Sequence, residues 1–266
     1  MLYKTLKKEI VIILFCLSFL FGTRKIIDLY FIETEVNYLL IALVKLILLS
    51  VLIQFMKKEK KDFHVIFKNS SIFLLIIFVG TYLAFSNSEK IITLNGADIN
   101  LYLHVIFLFK CFVTGFFEET LFRVLLFNSI LKSHFFLNKN KIFRSYILTS
   151  IIFGLVHLIN LSSLDFFSVL NQILLAFGLG MIFQMLLTKY NNILFIASLH
   201  SLINYFGTRN SVLFQFKRTT DLEIFSDYEV FLNLAIFIFF DFLIIIYLRY
   251  FIKGQMDDGE QIPYTG

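Results

Sequence analysis

The chain has 266 residues, 58% of them hydrophobic and only 16% charged, with a mean hydropathy of +0.81. These values exclude an ordinary soluble domain and point to an all-α polytopic membrane protein. The formal charge of +5 implies no nucleic-acid partner, because basic residues gathered in the loops of a membrane protein set its orientation.

Taken in chain order, apolar runs long enough to approach the roughly 20 residues of a membrane crossing predict about eight transmembrane helices. They fall near 9–30, 36–56, 71–86, 101–131, 146–162, 166–187, 193–207 and 229–251. The first has a basic start at Lys4, Lys7 and Lys8 but no small-residue cleavage site, so it reads as an uncleaved anchor. The only proline is Pro263, so no span is interrupted by one, and the 36 phenylalanines suit lipid-facing surfaces. Cys16 and Cys111 stand in apolar runs, which indicates neither a disulfide framework nor a thiolate metal site. With both termini cytoplasmic and the spans alternating, fifteen of the 24 Lys and Arg residues lie inside and six outside. That bias follows the positive-inside rule. Three stretches result: residues 1–100 without motifs, a candidate core at 101–207, and 208–266 with an outer loop, the last span and the tail.

Charged groups are costly in hydrocarbon, so a span that keeps several needs them. In the fourth span "EETLFR" runs from Glu118 to Arg123, with Lys110 two turns earlier. Glu119 and Arg123 are four apart and share a helical face, which suits an ion pair. Glu118 is rotated by about 100° from Glu119 and is either available for chemistry or paired with Lys110 or another helix. The fifth span holds "FGLVH", with Phe153 one turn below His157, and the seventh holds "HSLIN", with His200 and Asn204 on one face. Each of these reads alone as either interhelical hydrogen bonding or part of a site. Counted from the cytoplasmic ends of their spans, Glu118 and Glu119 lie about 17 Å deep, His157 about 17 Å and His200 about 10 Å. Acid, imidazole and amide from three helices therefore converge on one layer. A carboxylate and an imidazole together deprotonate a water for attack on a carbonyl. A second imidazole and an amide donate hydrogen bonds to the developing oxyanion. Lys45 and Asp241 also sit mid-span and receive no role.

At these residues the sequence resembles the CPBP family of intramembrane proteases, which joins type II CAAX prenyl endopeptidases with bacterial bacteriocin-processing and self-immunity proteins. The pattern EExxxR, FxxxH, HxxxN is complete and in order across roughly Leu101 to Tyr205. The resemblance implies an endopeptidase in the cell membrane whose site opens toward the cytoplasmic side. It implies that Glu118 and His157 activate water and that His200 and Asn204 form the oxyanion hole, with Glu119, Arg123 and Phe153 in support. If zinc is bound, Glu118, His157 and His200 would be its three ligands, the number that catalytic zinc prefers. No HExxH helix is present, and the expectation is catalysis without a required cofactor. The expected partners are membrane lipid and a peptide or protein substrate. The Lys-, Ile-, Asn- and Phe-rich composition looks bacterial, which favours a leader, signalling or bacteriocin-related peptide. A non-catalytic self-immunity or scaffold protein of the same fold is the alternative.

Overall fold

The computed structural model describes residues 2–30, 34–58, 101–133, 141–162, 164–213 and 227–257. Among them all regular structure is helical. The long helices are α1 (Leu2–Tyr30), α2 (Thr34–Lys58), α3 (Leu101–Glu119), α5 (Lys141–Leu155), α6 (Phe166–Tyr190), α7 (Ile193–Leu213) and α8 (Asp227–Asp257). A π-helical stretch, Thr120–Leu126, stands between α3 and the short α4 (Phe127–Lys132), and a 3₁₀ stretch, Val156–Ser162, follows α5. Every expected span except 71–86, which lies outside the described residues, coincides with helix. Five segments are long and apolar enough to cross a membrane: Lys8–Ile27, Glu35–Lys58, Lys141–Leu161, Phe166–Tyr190 and Leu234–Gly254. The apolar part of α7 is shorter, Ile193–Phe206.

Two elements depart from the uniform α-helix that the spacing arithmetic assumes. Residues Thr120–Leu126 are π-helical, so 100° per residue does not hold where "EETLFR" ends. Polar side chains fold back on the carbonyls around this stretch: Thr120 Oγ1 donates to Phe116 O at 2.7 Å and Asn128 Nδ2 to Val124 O at 2.7 Å. Such back-bonding competes with the regular ladder, and π insertions often mark functional positions. The second departure is the tightening of α5 into 3₁₀ geometry just before His157.

The chain divides into two compact units. One spans Val11–Leu121 and Asn192–Thr220 and holds α2, α3 and α7. Tyr38 meets Phe107 and Lys45 meets Thr114, so α2 and α3 run parallel. Gly115 lies against Ala197 and Ser201 while His104 meets Tyr205, so α3 and α7 run antiparallel. The approach at Gly115 is close enough that an added Cβ would stand 2.6 Å from the Ala197 carbonyl oxygen. Without aqueous hydrophobic drive between helices, small residues at such crossings let backbones pack directly.

The other unit spans Met1–Ile10, Phe122–Asn191 and Asp221–Gly266. Here α5 and α6 are antiparallel, with Gly154 against Ile173, Gly180 against Ser150, and Tyr146 Oη 2.6 Å from Thr188 Oγ1. Gly178 of α6 faces Asp241 and Ile244 of α8, and a cleft further along is lined by Ile182 to Tyr190 and Phe240 to Phe251. That order makes α6 and α8 parallel. Phe239, Phe240, Phe242 and Tyr250 of α8 are exposed, as expected of a lipid-facing helix. Asp165 caps α6, accepting from Ser168 N at 2.9 Å, and Asn191 ends it in the left-handed conformation at φ 51°, which asparagine tolerates.

Gly115→Ala is expected to destabilise the protein by about 1–3 kcal/mol, read as a lower thermal midpoint in detergent. The Ser168 hydroxyl and backbone N–H hold the Asp165 carboxyl below the usual aspartate range. The cap's contribution is therefore complete above about pH 3.9 and is lost as pH falls through the lowered value. Asp165→Ala should cost about 0.5–2 kcal/mol at neutral pH, toward the lower end for so exposed a residue. The wild-type advantage over this variant should vanish in acid, which thermal unfolding at both pH values measures.

Candidate functional site

In the unit built from α2, α3 and α7 the two adjacent glutamates have different surroundings. Glu119 is sealed, with a side-chain exposure of 0%, whereas Glu118 keeps 21%. His200, from α7, lies against both. Its Nδ1 is 2.8 Å from Glu119 Oε1, and its Nε2 is 3.7 Å from Glu118 Oε2. The first distance is a hydrogen bond in which the imidazole N–H donates to the carboxylate. That bond fixes the ring orientation and turns Nε2 toward Glu118. The second distance is too long for direct bonding, and such a gap suits a bridging water. Antiparallel packing of α3 on α7, made close by Gly115, brings His200 to the glutamates across 81 residues of sequence. Asn204 is half-buried one turn beyond His200 in α7.

The other oxygen of Glu118 has a partner from α2. Lys45 Nζ is 3.3 Å from Glu118 Oε1 and 2.9 Å from Thr114 Oγ1. Thr114 and Glu118 are one turn apart on α3, so the buried ammonium donates to two acceptors on one face. The sequence alone gives Lys45 no role; its signal was a lysine in mid-span, costly unless paired. Lys110 packs instead over the Tyr38 ring, 4.0 Å from its centroid.

The unit built from α5, α6 and α8 holds the remaining residues. The Arg123 guanidinium lies over the Phe153 ring at 4.4 Å, a cation–π contact whose strength grows with desolvation. Arg123 and Phe153 are both buried. Phe153 also meets Phe122 edge-on, with centroids 5.0 Å apart, and His157 at 5.5 Å and 88°. Arg123 thus belongs to the packing that orients the histidine. His157 Nδ1 is 3.1 Å from the Phe153 carbonyl oxygen. In a 3₁₀ turn the main-chain bonds reach back three residues rather than four, which opens that carbonyl to the ring. With Nδ1–H donating there, Nε2 carries the lone pair and is the nitrogen able to accept a proton. Asp241, the other mid-span charge, packs against Gly178 away from these residues in sequence and is buried.

A resident zinc would need three protein ligands. Among the described residues no group of three His, Cys, Asp or Glu is arranged to hold a metal. Glu118 and His200 alone present two donors, and Lys45 occupies the far oxygen of one of them.

Residues 100–206 match the family described as type II CAAX prenyl endopeptidase Rce1-like. No curated protein and no solved structure matches the chain. The matched segment contains Glu118, Glu119, Arg123, Phe153, His157, His200 and Asn204. Apolar helices long enough to cross a membrane flank and enter it. This multi-pass membrane chain carries an Rce1-like domain of the CPBP family and is an intramembrane peptide-bond hydrolase.

Proposed function

We propose that the protein cleaves a small membrane-associated or amphipathic peptide, of the leader, signalling or bacteriocin-related kind, by direct attack of water. Glu118 and His157 activate the water, and Asn204 and His200, the latter as an imidazolium donating from Nε2, stabilise the oxyanion. Glu119 fixes His200, and Arg123 with Phe153 supports His157. The observation that carries this reading is the His200 imidazole, bonded through Nδ1 to sealed Glu119 and turned through Nε2 toward Glu118. Water beside that gap loses its proton to Glu118 as its oxygen bonds to the peptide carbon. The carbonyl oxygen becomes the oxyanion, and the proton passes from Glu118 to the leaving amine as the C–N bond breaks. No metal is required.

Eight spans with both termini cytoplasmic, and a site in the cytoplasmic half of the cell membrane, belong to the same proposal. The bias of basic residues supports the orientation, and parity supports the threading. In that threading the second and fourth spans run the same way, as do the sixth and eighth, while the fourth opposes the seventh and the fifth opposes the sixth. Helices α2 and α3, α6 and α8, α3 and α7, and α5 and α6 pack with those directions.

The test is cleavage of two peptides in lipid vesicles, one farnesylated at a CAAX cysteine and one amphipathic without lipid. Loss of general-base function should lower turnover by about 10²–10⁴-fold in Glu118→Gln and in His157→Ala, with the variants still folded. Chelator should leave the wild-type rate unchanged. Retained cleavage in either variant contradicts the assigned roles, and loss of activity to chelator contradicts the metal-free mechanism.

A further inference from the structure

The sequence leaves Lys45 unexplained, and the family pattern lies wholly outside α2. Yet the Lys45 ammonium is the group on α2 that reaches the glutamate assigned as base. Lys45 is buried, with 8% exposure, and the two acceptors of its ammonium, Thr114 Oγ1 at 2.9 Å and Glu118 Oε1 at 3.3 Å, lie one helical turn apart on α3. We propose that Lys45 is the positioning residue of the hydrolytic water: it clamps one oxygen of Glu118 so that the other, turned toward His200, takes the proton. This proposal rests on the base role given to Glu118 above.

The argument begins with the two oxygens of a carboxylate, which are equivalent until something distinguishes them. In water either one serves, and rotation about the last torsion exchanges them within a broad, nearly two-fold well. Here a cation holds Oε1 on the α2 side, and Oε2 stands 3.7 Å from His200 Nε2 on the α7 side. Rotation would pull the negative charge from its counter-ion, so the clamp selects one orientation. Thr114 does the corresponding work on the ammonium, accepting one of its three protons and thereby aiming another at Glu118. A base held in this way loses no time or energy in reorganising when the water approaches. Charge matters as well as aim. Glu118 and Glu119 are adjacent in sequence, and Glu119 is sealed against His200. A cation beside Glu118 offsets the repulsion between two neighbouring carboxylates.

The geometry also separates this role from packing. A lysine kept only to fill space would be replaced well by methionine, which has a similar unbranched stem. A lysine kept for its donors would be replaced better by arginine, which holds the charge and the hydrogen bonds.

The experiment compares Lys45→Met, Lys45→Arg, Glu118→Gln and the Lys45→Met/Glu118→Gln double variant of the full chain in lipid vesicles. The probe is the farnesylated peptide, or the amphipathic one if only that is cleaved. Displacing a reacting group by about 1 Å costs about 10²-fold. Lys45→Met should therefore lose about 10- to 100-fold in kcat with KM little changed, and Lys45→Arg should recover most of that loss. Thermal midpoints of the four proteins provide a readout without catalysis. The double variant should melt higher than the two single shifts predict by addition, because removing both charges together leaves no buried ion without its partner. Wild-type kcat in Lys45→Met, with Glu118→Gln inactive, overturns the clamp while leaving Glu118 as base. Equal losses in Lys45→Met and Lys45→Arg, or strictly additive midpoints, overturn it too. Cleavage by Glu118→Gln at the wild-type rate removes the base assignment itself, a result distinct from failure of the clamp.

Discussion

The bond from His200 to Glu119 is the constraint around which the glutamate site is organised. An imidazole has two distinct nitrogens, and a partner on one of them decides where the other points. Glu119, fully enclosed and 2.8 Å from Nδ1, makes that decision. It directs Nε2 to the half of the site where Glu118 retains some exposure. The two neighbouring glutamates therefore stand in different surroundings, one sealed and the other partly exposed. His157 solves the same problem with different means. A main-chain carbonyl, opened by a change of helix type, takes Nδ1–H and leaves Nε2 as the acceptor.

Such bonds need helices that come close, and the sequence places glycine where closeness is greatest. At Gly115 the α7 backbone stands where a side chain would be, and the His200 contact lies one turn further along α3. Gly154, Gly178 and Gly180 act likewise between α5, α6 and α8. In a bilayer lipid competes equally for apolar side chains, so helix pairs hold together through close van der Waals packing and interhelical hydrogen bonds. The polar site and the glycine contacts are thus one device: the same approach that packs the helices also brings their polar groups together.

Much of this was legible in the sequence. Hydropathy located the helices because membrane crossing imposes length and apolarity on every span. The motifs stood out because Glu, Arg, His and Asn are expensive there. Three things were not legible, each for a physical reason. The π-helical run at Thr120–Leu126 depends on local back-bonding and crowding that a fixed 100° period ignores. The fixing of His200 by Glu119 depends on tertiary approach between residues 81 apart. Lys45 joins Glu118 across 73 residues, and helical spacing relates only residues within one helix. Its mid-span position was the clue, although a charge alone does not name its partner.

The central claim is that a water held by Glu118, and not a protein nucleophile, opens the peptide bond. The most direct measurement is a single turnover in ¹⁸O-water, followed by mass analysis of both peptide product and protein. Direct attack predicts the label in the new carboxyl terminus and none in the protein, with no covalent adduct trapped at early times. An acyl adduct on Thr114, Cys111 or Ser201, or label carried into the Glu118 carboxyl, would contradict it.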